Sequence, residues 1–228
     1  MNKINDNAIN TVSSLAQVSD DKQVKIVRRG GKLKILFLGN SITRHQPKPE
    51  IGWVHDWGMA ASSENNDYVH IMLKELDKKY GVVDYAICSL SKWEREYWNN
   101  SILEEYKAAK EFEADIVIVR LAENVWGVRD KLEEIPLAPY WDHMIHYFAN
   151  KNAKIVMTDD FWSWDTIDEP IHEVAKKNNY ILVKLGEIGA KPENKALGQF
   201  AHEGVSIHPN DKGMKEIAYA ILKGGNLI

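Results

Sequence analysis

The sequence predicts an α/β protein, a three-layer α/β/α sandwich on a five-stranded parallel sheet. Two observations carry that expectation. Short apolar, β-branched runs alternate along the chain with segments whose apolar residues recur at helical spacing. The runs are also apolar throughout rather than alternating, as strands covered on both faces are.

The elements follow in order from Lys34. Ile35 to Leu38 reads as a buried first strand, and Val69, Met72, Leu73, Leu76 and Tyr80 stripe the first helix. Val82 to Cys88 is the second strand, and Ile102, Tyr106 and Ala109 mark another helix. Ile116 to Leu121, with its Ile-Val-Ile-Val run, is the third strand. Trp141, Met144, Ile145 and Phe148 stripe the next helix, before a strand from Ile155 to Thr158. Pro170 suits the first turn of a helix carrying Ile171, Val174 and Ala175. Tyr180 to Leu185 is the fifth strand, and Met214, Ile217, Ala218, Ile221 and Leu222 make a final amphipathic helix. Residues 1–32 read as a lead-in segment and 33–228 as one domain.

Composition narrows the function classes. With 44% hydrophobic and 27% charged residues, the chain has the makeup of a globular domain that needs no metal or disulfide to fold. A net charge of −4 with mixed signs argues against nucleic acid as a partner. The single cysteine, Cys88, excludes an intrachain disulfide. Residues 1–20 are polar and contain no apolar stretch of signal-peptide or membrane-spanning length, so the expectation is a cytoplasmic protein without a membrane partner. Secretion after removal of a signal peptide stays an alternative, and oligomeric state is not legible.

In a parallel sheet of this kind the site lies beyond the carboxyl ends of the strands, near a switch in strand order. The residues following each strand therefore matter most. They are Gly39-Asn40-Ser41-Ile42-Thr43 after the first, Ser89 after the second and Ala122-Glu123-Asn124 after the third, with Ile207-His208-Pro209 before the last helix. No Gly-x-Gly-x-x-Gly or P-loop follows the first strand, so a nucleotide cofactor is unsupported and no other cofactor is implied.

A serine just past a buried strand is held at the sheet edge. Its hydroxyl is a poor nucleophile until a base stands within hydrogen-bond reach, and His208 returns to the same edge. Taken singly, Ser41 and Asn124 are also ordinary capping residues, and His208 an ordinary loop histidine.

This set of residues resembles the SGNH hydrolases, or GDSL family, whose blocks supply a serine in Gly-Asp-Ser or Gly-Asn-Ser, a glycine, an asparagine in Gly-x-Asn-Asp and a histidine in Asp-x-x-His. The resemblance spans Lys34 to the C-terminus and implies a flavodoxin-like SGNH fold. It implies Ser41 as nucleophile and His208 as base, with an oxyanion hole from the Ser41 N–H, the Ser89 N–H and the Asn124 side-chain amide. Three positions depart from the pattern: Ser89 replaces the glycine, Ala122-Glu123-Asn124-Val125 replaces Gly-x-Asn-Asp, and Val205 occupies the place of the catalytic aspartate. Glu203 is the favoured substitute for that acid. Asp159, Asp160 or a backbone carbonyl, leaving a Ser-His dyad, are the alternatives.

Eight tryptophans are unusual for a chain of this length. The long segment from His45 to Asn66 holds Trp53, His55, Asp56 and Trp57. With Asn40, Trp93, Arg95 and Trp126, Trp53 and Trp57 are the candidate substrate contacts. Aromatic faces mixed with polar groups suit a sugar better than a fatty acyl chain. Since many relatives are carbohydrate esterases, O-deacetylation of a small-molecule or oligosaccharide ester is the leading expectation. A lipase-like esterase or acyl-thioesterase is the alternative enzyme, and a non-catalytic carbohydrate-binding fold the alternative class. His143 and His146 one turn apart beside Asp142 fit a polar helix face better than metal ligands, and no metal is expected.

Overall fold

The computed structural model describes residues 24–228. Six strands form one sheet: β1 (Val24–Val27), β2 (Lys34–Gly39), β3 (Asp84–Ser89), β4 (Ile116–Arg120), β5 (Lys154–Thr158) and β6 (Ile181–Val183). Their spatial order is β1-β3-β2-β4-β5-β6. β2 through β6 are the five parallel strands the sequence predicts. β1 lies within the segment read as a lead-in. It pairs antiparallel with β3, Val24 opposite Cys88 and Val27 opposite Tyr85, and makes the sheet six-stranded.

The period-two geometry of a strand sorts the side chains into two cores. Ile35 and Phe37 of β2, Tyr85 and Ile87 of β3, and Ile116 and Ile118 of β4 face one layer. That layer is α1 (Tyr68–Tyr80) and the C-terminal helix (Asp211–Gly224), which contribute Val69, Met72, Leu76, Met214, Ile217 and Ile221. Leu36, Leu38, Ala86, Cys88, Val117 and Val119 point the other way, against Leu103, Ala109, Trp141, Ile145, Ile171 and Val174. This second layer contains α2 (Ser91–Arg95), α3 (Lys107–Glu111), α4 (Leu137–Phe148) and α5 (Asp165–Asn178).

Helix ends obey local chemistry. Asp67 caps α1 by accepting the His70 N–H at 2.8 Å. Asn179 ends α5 in the left-handed conformation at φ 56°. Here the sequence expectation needs correcting, because α5 starts at Asp165 and Pro170 lies inside the helix rather than in its first turn.

The chain moves from β2 outward to β3, then crosses back to β4 on the other side of β2. That reversal opens a crevice at the carboxyl ends of β2, β3 and β4. The remaining short helices, α6 (Gly186–Gly189) and α7 (Glu203–Ser206), lead the chain back to this edge.

Candidate active site

β2 ends at Gly39 and the backbone turns at once. The N–H groups of Thr43 and Arg44 both reach the Asn40 carbonyl at 2.9 Å, closing a single helical turn. Gly39 is demanded by space, since a Cβ there would lie 1.7 Å from Thr43 Oγ1. Asn40 is buried under the turn, while Ser41 lines a cleft of about 420 Å³.

His208 reaches the same cleft from the far end of the chain. Its Nε2 lies 2.8 Å from Ser41 Oγ, and its Nδ1 lies 2.7 Å from the Gly204 carbonyl oxygen. A carbonyl only accepts, so the proton sits on Nδ1 and the Nε2 lone pair faces the serine hydroxyl. Burial, chiefly, pushes the His208 pKa down to about 4, with His45 acting in the same direction. The Trp162 ring stands edge-on to the imidazole at 5.4 Å. The imidazole is therefore neutral at pH 7.

The favoured acid, Glu203, is a correction. Its side chain is exposed at the start of α7, and the helical turn aims the Gly204 carbonyl at Nδ1 instead. Val205, at the position of the missing aspartate, is fully buried in a satellite core with Ile51, Trp53, Met59 and Ala196. Asp159 accepts from the Leu185 N–H at 2.6 Å and Asp160 from the Trp162 N–H at 3.0 Å, so the other acids are engaged elsewhere too. The backbone-carbonyl alternative is the one the geometry supports.

Asn124 lines the cleft from the segment after β4. Ala122 before it holds φ 153°, a value glycine adopts most readily. The Asn124 side-chain nitrogen donates to Glu94 Oε2 at 2.5 Å. Glu94 Oε1 also accepts from Asn40 Nδ2 at 3.0 Å and the Ala122 N–H at 2.7 Å. Asn40 Nδ2 and Arg120 also donate to Glu123, and Arg120 donates to Asn40 Oδ1 at 3.3 Å.

From Glu123 and Asn124 on the cleft wall inward, then, runs a largely buried network with one cation and several acids. Burial raises Glu123, but the Arg120 guanidinium outweighs it and holds that carboxyl well below the usual range. Burial first and the Glu123 charge second push Glu94 up to about 7, and the same two causes hold Asp160 well above the usual range. Sequence reasoning placed Glu94 and Glu123 at strand ends without giving either a role, and missed Arg120. An arginine closing the Ile-Val-Ile-Val strand was the available signal, because a charge there needs a buried partner.

Two further assignments change. Ser89 is the last residue of β3, inside the sheet, and does not line the cleft; Ser91, the first residue of α2, does. The strand ends one residue later than predicted, and the helix after it opens at Ser91. Of the candidate substrate contacts, Trp126 lines the cleft. Trp53 and Trp93 are fully buried core residues, Trp93 packing on Trp141 at 5.6 Å. Trp57 stacks on His55 and donates to the Ala61 carbonyl, Arg95 donates to the Ser91 carbonyl, and Asn40 belongs to the buried network. Trp162 and Trp164 line the cleft instead, with Trp164 stacked on Trp126 at 3.8 Å.

No family model and no curated protein matches the chain. Solved structures do. The fold is shared with two crystal structures. A two-domain esterase active on acetylated mannans is 18% identical with a TM-score of 0.54, over 85% of this chain and 48% of that one. The chain thus spans about half the length of that esterase. A GDSL-like lipase from Bacteroides ovatus is 17% identical with a TM-score of 0.51, over 84% of this chain and 97% of that one.

Proposed function

We propose that the protein is a serine ester hydrolase that removes acetyl groups from a saccharide. The observation that carries the reading is the 2.8 Å contact between Ser41 Oγ and a neutral, buried imidazole whose other nitrogen is occupied.

Ser41 Oγ attacks the ester carbonyl carbon while its proton passes to His208 Nε2. The negative charge on the former carbonyl oxygen is met by the Ser41 and Ser91 N–H groups and the Asn124 amide. Collapse expels the alcohol, which takes the proton back from Nε2. Water then repeats the sequence on the acyl-enzyme and releases acetate. The Gly204 carbonyl does the part of the usual aspartate that fixes the tautomer. The charge of Glu123 favours the imidazolium from a distance.

The saccharide rests on the cleft lining. Trp126, Trp162 and Trp164 offer flat apolar faces, and Trp164 is 40% exposed at the mouth. The likeness to an esterase active on acetylated mannans points the same way. Among the described residues no helix is long and apolar enough to cross a membrane.

Two measurements test the reading. A fluorophosphonate probe labels the wild type and not Ser41→Ala. Acetate is released from acetylated oligosaccharides, and p-nitrophenyl esters are hydrolysed with rates that collapse as the acyl chain lengthens. Faster release of long acyl chains would overturn deacetylation, and an unlabelled wild type would overturn the serine mechanism.

A further inference from the structure

Acyl transfer by Ser41, His208 and an oxyanion hole does not by itself call for a second buried carboxylate, yet Glu94 is fully buried and receives hydrogen bonds from three residues, Asn40 after β2 and Ala122 and Asn124 after β4. We propose that Glu94 is the positioning residue of the oxyanion hole: its ionised carboxylate orients the Asn124 amide toward the cleft and ties the Ser41 turn to the Asn124 turn through Asn40. The proposal rests on the esterase reading above.

The geometry supplies the reason. One Nδ2 hydrogen of Asn124 is committed to Glu94 Oε2, which fixes the direction of the other. A carboxylate accepts and never donates, so it forbids the flipped amide that would turn Asn124 Oδ1 inward. The Ala122 N–H on Oε1 anchors the backbone of the same turn, and Asn40 Nδ2 on that oxygen reaches the residue before Ser41. A protonated Glu94 would present an O–H to the same amide. Asn124 would then satisfy it by flipping and withdraw its N–H groups from the oxyanion.

The charges around Glu94 are few. Glu123 faces it from the segment after β4, with its own charge paired to Arg120 at the end of β4. On its own helix, Lys92 reaches Glu105 of the segment after α2 at 2.7 Å and Arg95 reaches the Ser91 carbonyl. Glu94 therefore loses its proton at about pH 7, whereas His208 is neutral down to about 4. The acid side of the rate profile belongs to Glu94 rather than to the base.

The test is kcat and KM for a short-chain acyl ester between pH 5 and 9, in the wild type, Glu94→Gln, Asn124→Ala and the double variant. The wild-type kcat should fall below a limb near pH 7. Glu94→Gln should lower kcat at pH 8 by roughly a hundredfold, the cost of one oxyanion donor, with KM within about threefold and the limb near 7 gone. Asn124→Ala should show a similar loss and also lack the limb, and the double variant should be no worse than either single one. Wild-type kcat in Glu94→Gln, or an unmoved limb, overturns the proposal and leaves the esterase reading standing. If Glu94→Gln does not fold, Asn124→Ala decides: a limb kept near 7 overturns the proposal. A wild type that neither labels nor hydrolyses overturns both.

Discussion

At the scale of single residues, the site depends on where one proton rests. His208 hands its Nδ1 hydrogen to a backbone carbonyl, which sets the tautomer as firmly as a carboxylate but carries no charge. Ser41→Ala and His208→Ala are therefore expected to lose on the order of a thousandfold or more in kcat. Glu203→Gln should keep the wild-type rate within about twofold in an acetate-release assay. That Ser41, His208 and Asn124 meet at one cleft was legible because each sits at a strand or helix end, where sequence alone predicts convergence. Glu94 was not. Its helix is five residues long, and nothing local reveals that residues 40, 122 and 124 will close over it.

At the scale of elements, α7 decides which group reaches the histidine. Its turn spends Val205 on the satellite core and the Gly204 carbonyl on the imidazole. Val205→Asp is thus expected not to rebuild a triad. It would bury an unpaired carboxylate among Ile51, Trp53 and Met59 and cost about 3 kcal/mol or more, read as a lowered melting temperature, with no gain in kcat. Trp53 joins Val205 in that satellite core, while Trp93 packs on Trp141 from α2. Segments that read as loops, around Trp53 and Trp93, fold back into cores, because a loop's local pattern does not say which side chains its path will cover. The five parallel strands were legible to within one or two residues, and β3 ending one residue later than expected put Ser89 inside the sheet and left Ser91 at the cleft.

At the scale of the molecule, two buried groups bend the dependence of stability on pH in opposite senses. His208 falls from 6.5 to about 4 on folding, so the stability it contributes is complete above about pH 6.5 and is lost as pH falls toward 4. Glu94 rises from 4.5 to about 7, so its contribution is complete below about pH 4.5 and is lost as pH rises toward 7. Each is on the order of 3 kcal/mol. Relative to the wild type, His208→Gln should gain stability as pH falls from 6.5 to 4, and Glu94→Gln should gain it as pH rises from 4.5 to 7. Thermal melts at half-unit steps check both signs. The layered architecture itself was legible because the five parallel strands are continuous apolar runs. β1 was not, being four residues with only partial burial.

That short strand is the hem of the sheet. All six residues of β3 are buried, and Arg29 and Gly31 pin the incoming chain by donating their N–H groups to Asp84 at 2.6 and 3.0 Å. Unpicked, β3 would become an open margin inviting a second copy to stitch on. A chain trimmed through Val27 should therefore sediment as larger, concentration-dependent species than the intact one, long before its active cleft is disturbed.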